Sequence, residues 1–79
     1  EGEWILERSL NELKPGEKAV ITKISGEGAV KRRLMDMGVT RGTEVLVRKV
    51  APLGDPIEVN IRGYEQTFRK TEAENIFVR

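Results

Sequence analysis

The sequence has no cysteine and no histidine among its 79 residues. Without cysteine it can make neither a disulfide nor a zinc–thiolate site, so so short a chain must rely on its own packing or on a partner. Without histidine, the usual nucleophile–base pairs and the softer metal ligands are unavailable. Serine occurs only at Ser9 and Ser25, and neither sits in a G-x-S-x-G elbow. Catalysis would have to run on carboxylates, lysine or tyrosine, which points away from an enzyme. Only four residues are aromatic, Trp4, Tyr64, Phe68 and Phe77, too few for a platform on which bases stack. No apolar run approaches the ~20 residues of a membrane span, and no signal peptide is visible. The expected location is therefore cytoplasmic, without membrane insertion. The chain begins at Glu1 and not at methionine, which leaves open that it is a piece of a longer protein.

What is present reads as one small globular domain: 38% hydrophobic, 34% charged, net charge +1. So small a net charge argues against a strong nucleic-acid field. The distribution is less even than the total. Residues 31–49 hold Lys31, Arg32, Arg33, Arg41, Arg48 and Lys49 against Asp36 and Glu44, a local surplus of four positive charges.

Residues 3–8 are too short a stretch to classify as strand or arm. Ser9 to Glu12 has the S-x-x-E spacing of a capping box and predicts one helical turn. Lys14-Pro15-Gly16-Glu17 has the proline and glycine positions of a type II turn. Residues 19–24 read as a strand, apolar on both faces and well buried. Gly28 to Met37 predicts a helix with Val30, Leu34 and Met37 as its core stripe. Gly38 is placed to be its left-handed C′ residue, and Val39 to fold back on Leu34. Lys31, Arg32 and Met35 fall on the opposite, exposed face. A strand follows from Thr43 to Val50, with Val45 and Val47 on one face.

Ile57, Val59 and Ile61 then alternate with Glu58, Asn60 and Arg62, the cleanest period-2 pattern in the chain. Arg62 to Glu65 supplies a hairpin turn, and residues 66–70 return with Phe68 inward. Thr71 to Glu74 repeats the capping-box spacing, and Ile76 and Val78 mark a last strand. The sum is mainly β: about five short strands and one short α-helix, as in a small, partly open barrel.

The stretches "LNELKPGE", "VKRRLMDMGVTRGTEV", "VAPLGDPIEV" and "TEAENIFV", taken in order, resemble the ferrous iron transport protein A (FeoA) family. The resemblance runs from about Leu10 to Val78. It divides the chain into an arm or strand over 1–9, where roles for Trp4 and Ile5 are not covered, and a FeoA-like domain over 10–79. It implies an SH3-like barrel in a bacterial cytosolic protein that assists a membrane transporter for ferrous iron, whose own cytosolic domain binds GTP. A similar SH3-like domain ends the metal-dependent repressors of the diphtheria toxin repressor type. An accessory domain of such a regulator is therefore the alternative, with a small nucleic-acid-binding barrel third.

"SGEGAVK" sets glycines before a helix but lacks the phosphate-loop spacing, so a turn with Ser25 or Gly26 opening the helix is expected. Asp36, Asp55 and Glu58 could offer oxygen ligands to iron, but no spacing groups them, so no metal site and no cofactor is expected. Lys31, Arg32 and Met35 form a cationic patch with one flexible apolar centre, the composition of a protein interface. In "VAPLGDPIEV", Pro52 and Pro56 interrupt strand pairing, and Asp55 has a turn-forming role, accepting from nearby backbone N–H groups. Leu53 either folds back over the open barrel end or stands ready for a partner; both remain open. Leu53, Met35, Arg32 and Lys31 are the expected partner-binding residues.

Overall fold

The computed structural model describes residues 7–79, so Trp4 and Ile5 lie outside the described residues. Six antiparallel strands form one open sheet: β1 Arg8–Ser9, β2 Lys18–Ile24, β3 Glu44–Val50, β4 Ile57–Ile61, β5 Tyr64–Phe68 and β6 Ile76–Val78. Their order across the sheet is β1-β6-β2-β3-β4-β5. A 3-10 turn, Leu10–Glu12, and two helices, α1 Gly28–Asp36 and α2 Lys70–Ala73, complete the chain. This is the SH3-like, mainly β architecture expected. It has one more strand, because the two residues of β1 pair with Val78 and Phe77. A two-residue strand carries no periodicity of its own; only the distant β6 reveals it.

The core follows the alternation in the sequence. Val45 and Val47 of β3, Ile57, Val59 and Ile61 of β4, Phe68 of β5, and Ile76 and Val78 of β6 are all buried. α1 closes one side through Leu34, which is fully buried. Its C-terminus is the Schellman arrangement that Gly38 predicts. Gly38, at φ +94°, donates to the Met35 carbonyl at 3.1 Å, and Val39 donates to the Leu34 carbonyl at 3.0 Å. Gln66 of β5 donates through Nε2 to the Met37 carbonyl at 3.0 Å, satisfying a helix-end acceptor from across the barrel.

Several expectations change. Val30 is exposed, so the helix meets the core through Leu34, fully buried, and Met37, half-buried and packed against it, and not through a three-residue stripe. The α1 N-cap is Glu27, not Ser25 or Gly26. Ser25 instead bonds Asn75, its N–H to the carbonyl at 2.7 Å and its Oγ to Oδ1 at 3.1 Å, which ties the approach to α1 to the residue before β6.

The Ser9 hydroxyl bonds Asn11 Oδ1 and Glu12 Oε2 and not the turn's backbone. α2 begins at Lys70, ahead of Thr71. Arg69 N–H donates to Glu72 Oε1 at 2.9 Å, the half of a capping box that an arginine cap, which has no acceptor, can make. The hairpin turn is only Arg62 and Gly63, both at positive φ (55° and 87°), as a two-residue loop between twisted strands requires. The 14–17 turn is as expected, with Gly16 at φ +93° and Glu17 N–H on the Lys14 carbonyl at 3.0 Å.

β2 departs most instructively. Ala19 and Ile21 face the core while Val20 and Thr22 are half-buried, so it is not sealed on both faces. Strict alternation would also send Lys23 inward. The pairing with β6 shifts register between Ile21 and Lys23, and this bulge turns Lys23 to solvent and Ile24 onto the edge of the core.

Candidate functional site

Two surfaces carry three of the four residues expected to meet a partner, Lys31, Met35 and Leu53. The first is a groove of about 270 Å³ lined by Thr22, Lys23, Ile24, Lys31, Met35, Thr40 and Arg41. α1 supplies Lys31 and Met35, four residues apart and so on one helix face. β2 supplies Lys23 and Ile24 through its bulge. Lys23 Nζ lies 5.1 Å from the centre of the Phe77 ring, a cation–π contact that positions the ammonium at the rim.

Arg41 stands at the tip of the 40–43 turn, which is bonded on both sides to β2. Gly42 N–H donates to the Ile21 carbonyl at 2.7 Å, and Ile21 N–H to the Thr43 carbonyl at 2.9 Å. Gly42 at φ +87° and the Thr43 N–H on the Thr40 carbonyl at 3.1 Å close that turn. Met35 is 48% exposed at the groove wall. Arg32 is exposed on the same helix but is not among the lining residues.

The second surface is the β3–β4 link. Gly54 N–H donates to the Ala51 carbonyl at 2.7 Å, closing a turn with Pro52 at its second position and Leu53 at its third. Leu53 is 90% exposed, so it does not fold back over the barrel. Asp55 has the structural role expected of it, with a more distant partner. Its Oδ1 accepts from the Lys70 backbone N–H at 3.1 Å, tying the link to the first residue of α2. Pairing lapses between the prolines as expected: β3 ends at Val50 and β4 starts at Ile57.

The structure brings Lys31 and Met35 together and leaves Leu53 apart. The groove lies beyond the N-terminal end of β3, at Thr40 and Arg41, and Leu53 follows its C-terminal end. Seven residues of extended chain, about 20 Å, run between those ends. Lys23, Ile24 and Arg41 are groove residues that the sequence reading missed. Arg41 was discoverable from its glycine turn; Lys23 needed the bulge. Among the described residues, no cluster of three or more carboxylates could hold a metal ion, so Asp36, Asp55 and Glu58 are not gathered into one site. No helix among them is long and apolar enough to cross a membrane.

Six antiparallel strands with α1 packed against them through Leu34, and exposed apolar side chains on a turn and on that helix, define a small, mainly β domain of SH3-like form. The chain belongs to the FeoA domain family, whose profile matches residues 8–79. It is 36% identical over 69 residues, 87% of this chain, to the Fe(2+) transport protein A/Fe(2+) transporter FeoB fusion protein of Porphyromonas gingivalis, of which it spans 8% of the length. The FeoA protein of Chlorobium tepidum is 51% identical with a TM-score of 0.83, over 91% of this chain and 69% of that one.

Stenotrophomonas maltophilia FeoA is 28% identical with a TM-score of 0.80, covering 91% and 89% of the two chains. That protein was solved with zinc and proposed as an activating factor of bacterial ferrous iron transport. A manganese-dependent transcriptional repressor shares the fold alone: TM-score 0.86 at 20% identity, over 92% of this chain and 36% of that one.

Proposed function

We propose that this chain is a non-catalytic, cytoplasmic accessory domain of bacterial ferrous iron uptake. It binds the GTP-binding cytosolic part of a ferrous iron transporter and modulates its activity. The observation that carries this reading is the fused relative, which joins a transport protein A unit and a transporter in one polypeptide. Tethering of that kind raises the effective concentration of one module for the other to about the millimolar range, which favours a weak, regulated contact between them.

Leu53 supports the same reading from the structure. A large apolar side chain 90% exposed on a proline-set turn contributes nothing to the core, and its backbone loses little freedom on docking. Contact through Leu53 and through Lys31, Arg32 and Met35 leaves the barrel as scaffold.

The test is calorimetric titration of the full chain with the nucleotide-loaded cytosolic domain of the transporter. Binding is expected, and Leu53→Ser and Met35→Ser should each weaken it by about tenfold or more, as for apolar anchors at an interface centre. Absence of binding, or binding that neither substitution alters, would overturn the proposal.

A further inference from the structure

The groove beside α1 has a one-sided chemistry that narrows its occupant. Three of its lining residues are cationic, Lys23, Lys31 and Arg41; two are apolar, Ile24 and Met35; two are threonines; none is acidic. The three cations come from β2, α1 and the 40–43 turn, so their convergence is a property of the fold and not of a charge run in the sequence. None of the three ion pairs among the described residues, Arg8–Glu17, Arg33–Glu72 and Arg48–Glu65, involves a groove cation. The groove therefore presents net positive charge beside two apolar side chains, Ile24 and Met35.

We infer that this groove receives an acidic segment of a partner protein, with one aliphatic side chain of that segment seated between Ile24 and Met35 and its carboxylates reaching Lys23, Lys31 and Arg41. The inference rests on the proposed partner role of the α1 face and adds the chemistry of what docks there. Charge complementarity selects the sign of the segment and steers its approach. Ile24 and Met35 favour a peptide over a phosphate polymer, because no aromatic ring lines the groove for a base to stack on. Its volume of about 270 Å³ suits one or two side chains and not a duplex. Met35 suits such a seat, since an unbranched thioether adapts to differently shaped aliphatic anchors.

The experiment titrates the isotope-labelled full chain with a twelve-residue peptide of alternating glutamate and serine around a central leucine. Three comparison probes are the same peptide with lysine for glutamate, the same with serine for leucine, and inorganic phosphate. The acidic leucine peptide should shift the signals of Ile24, Lys31, Met35, Thr40 and Arg41, leaving Leu53 unmoved. Lys31→Glu and Arg41→Glu should each weaken it by about tenfold, with the loss shrinking as salt rises.

Equal shifts with the lysine peptide, equal shifts with the leucine-free peptide or with phosphate, or no shifts at all would each overturn the inference. If the acidic peptide fails while Met35→Ser still weakens the transporter domain, only this inference falls. If the peptide binds as described while neither Met35→Ser nor Leu53→Ser affects the transporter domain, the choice of partner falls and the groove chemistry stands.

Discussion

The α1 helix and the β3–β4 link both present an apolar side chain to solvent, and they hold it there by different means. Met35 is exposed because the opposite face of its helix is anchored. Leu34 is fully buried, Gly38 and Val39 close the C-terminus, and Gln66 of β5 reaches the Met37 carbonyl. Arg33 adds an ion pair at 3.2 Å to Glu72, whose side chain is mostly buried in α2. The link has no buried residue between Val50 and Ile57. Leu53 is held out by a turn with proline at its second position, a bond from Gly54 to Ala51, and the anchor of Asp55 on Lys70. Leu53 is almost wholly clear of its scaffold and Met35 about half clear, so binding and folding should separate under mutation, most cleanly at Leu53.

The largest test of that contrast is Leu34→Ala, which empties a fully buried site beneath α1. It should cost about 3 kcal/mol in a denaturant melt and carry the Met35 face away with the helix. Gly38→Ala should cost about 1–2 kcal/mol. An added Cβ would meet Ile61 Cγ2 at an ordinary 3.7 Å, so the penalty comes from the positive φ and not from a clash. Asp55→Ala should cost about 1 kcal/mol by freeing the Lys70 N–H, and amide exchange should accelerate at Lys70 more than in α1. Leu53→Ser should leave stability within about 0.5 kcal/mol while abolishing that residue's share of partner binding. A stability loss at Leu53 as large as at Asp55 would mean that the leucine packs on its own link, and the contrast would fail.

Local chemistry made much of this legible. The Met-Gly-Val end of the helix, the proline–glycine turn at 14–17 and the alternation in β4 each carry their signal within a few residues, and each has the expected form. What escaped depends on partners far along the chain. β1 exists only because β6 passes beside Arg8 and Ser9. Val30 has a helical position suited to the core, but the first turn of α1 lies toward Gly26 and Asn75; a Cβ built on Gly26 would lie 3.5 Å from Val30 Cγ1.

The groove shows the same limit. Lys31 and Met35 could be paired from helical spacing, yet Lys23 joins them only through a bulge, and Arg41 only through a turn bonded to β2. Leu53 could be singled out as apolar in a proline-rich link, but whether it turned in or out depended on how the rest of the barrel filled its open end.

In the proposed function, one small barrel offers two separated contact surfaces to a transporter's cytosolic domain. The most direct measurement is an NMR titration of the labelled chain with that domain in its nucleotide-loaded form. Two clusters of shifted signals are expected, one around Leu53 and one around Lys31, Met35 and Arg41, with the buried strands unmoved. Shifts confined to other faces of the barrel, or none at high concentration, would contradict it.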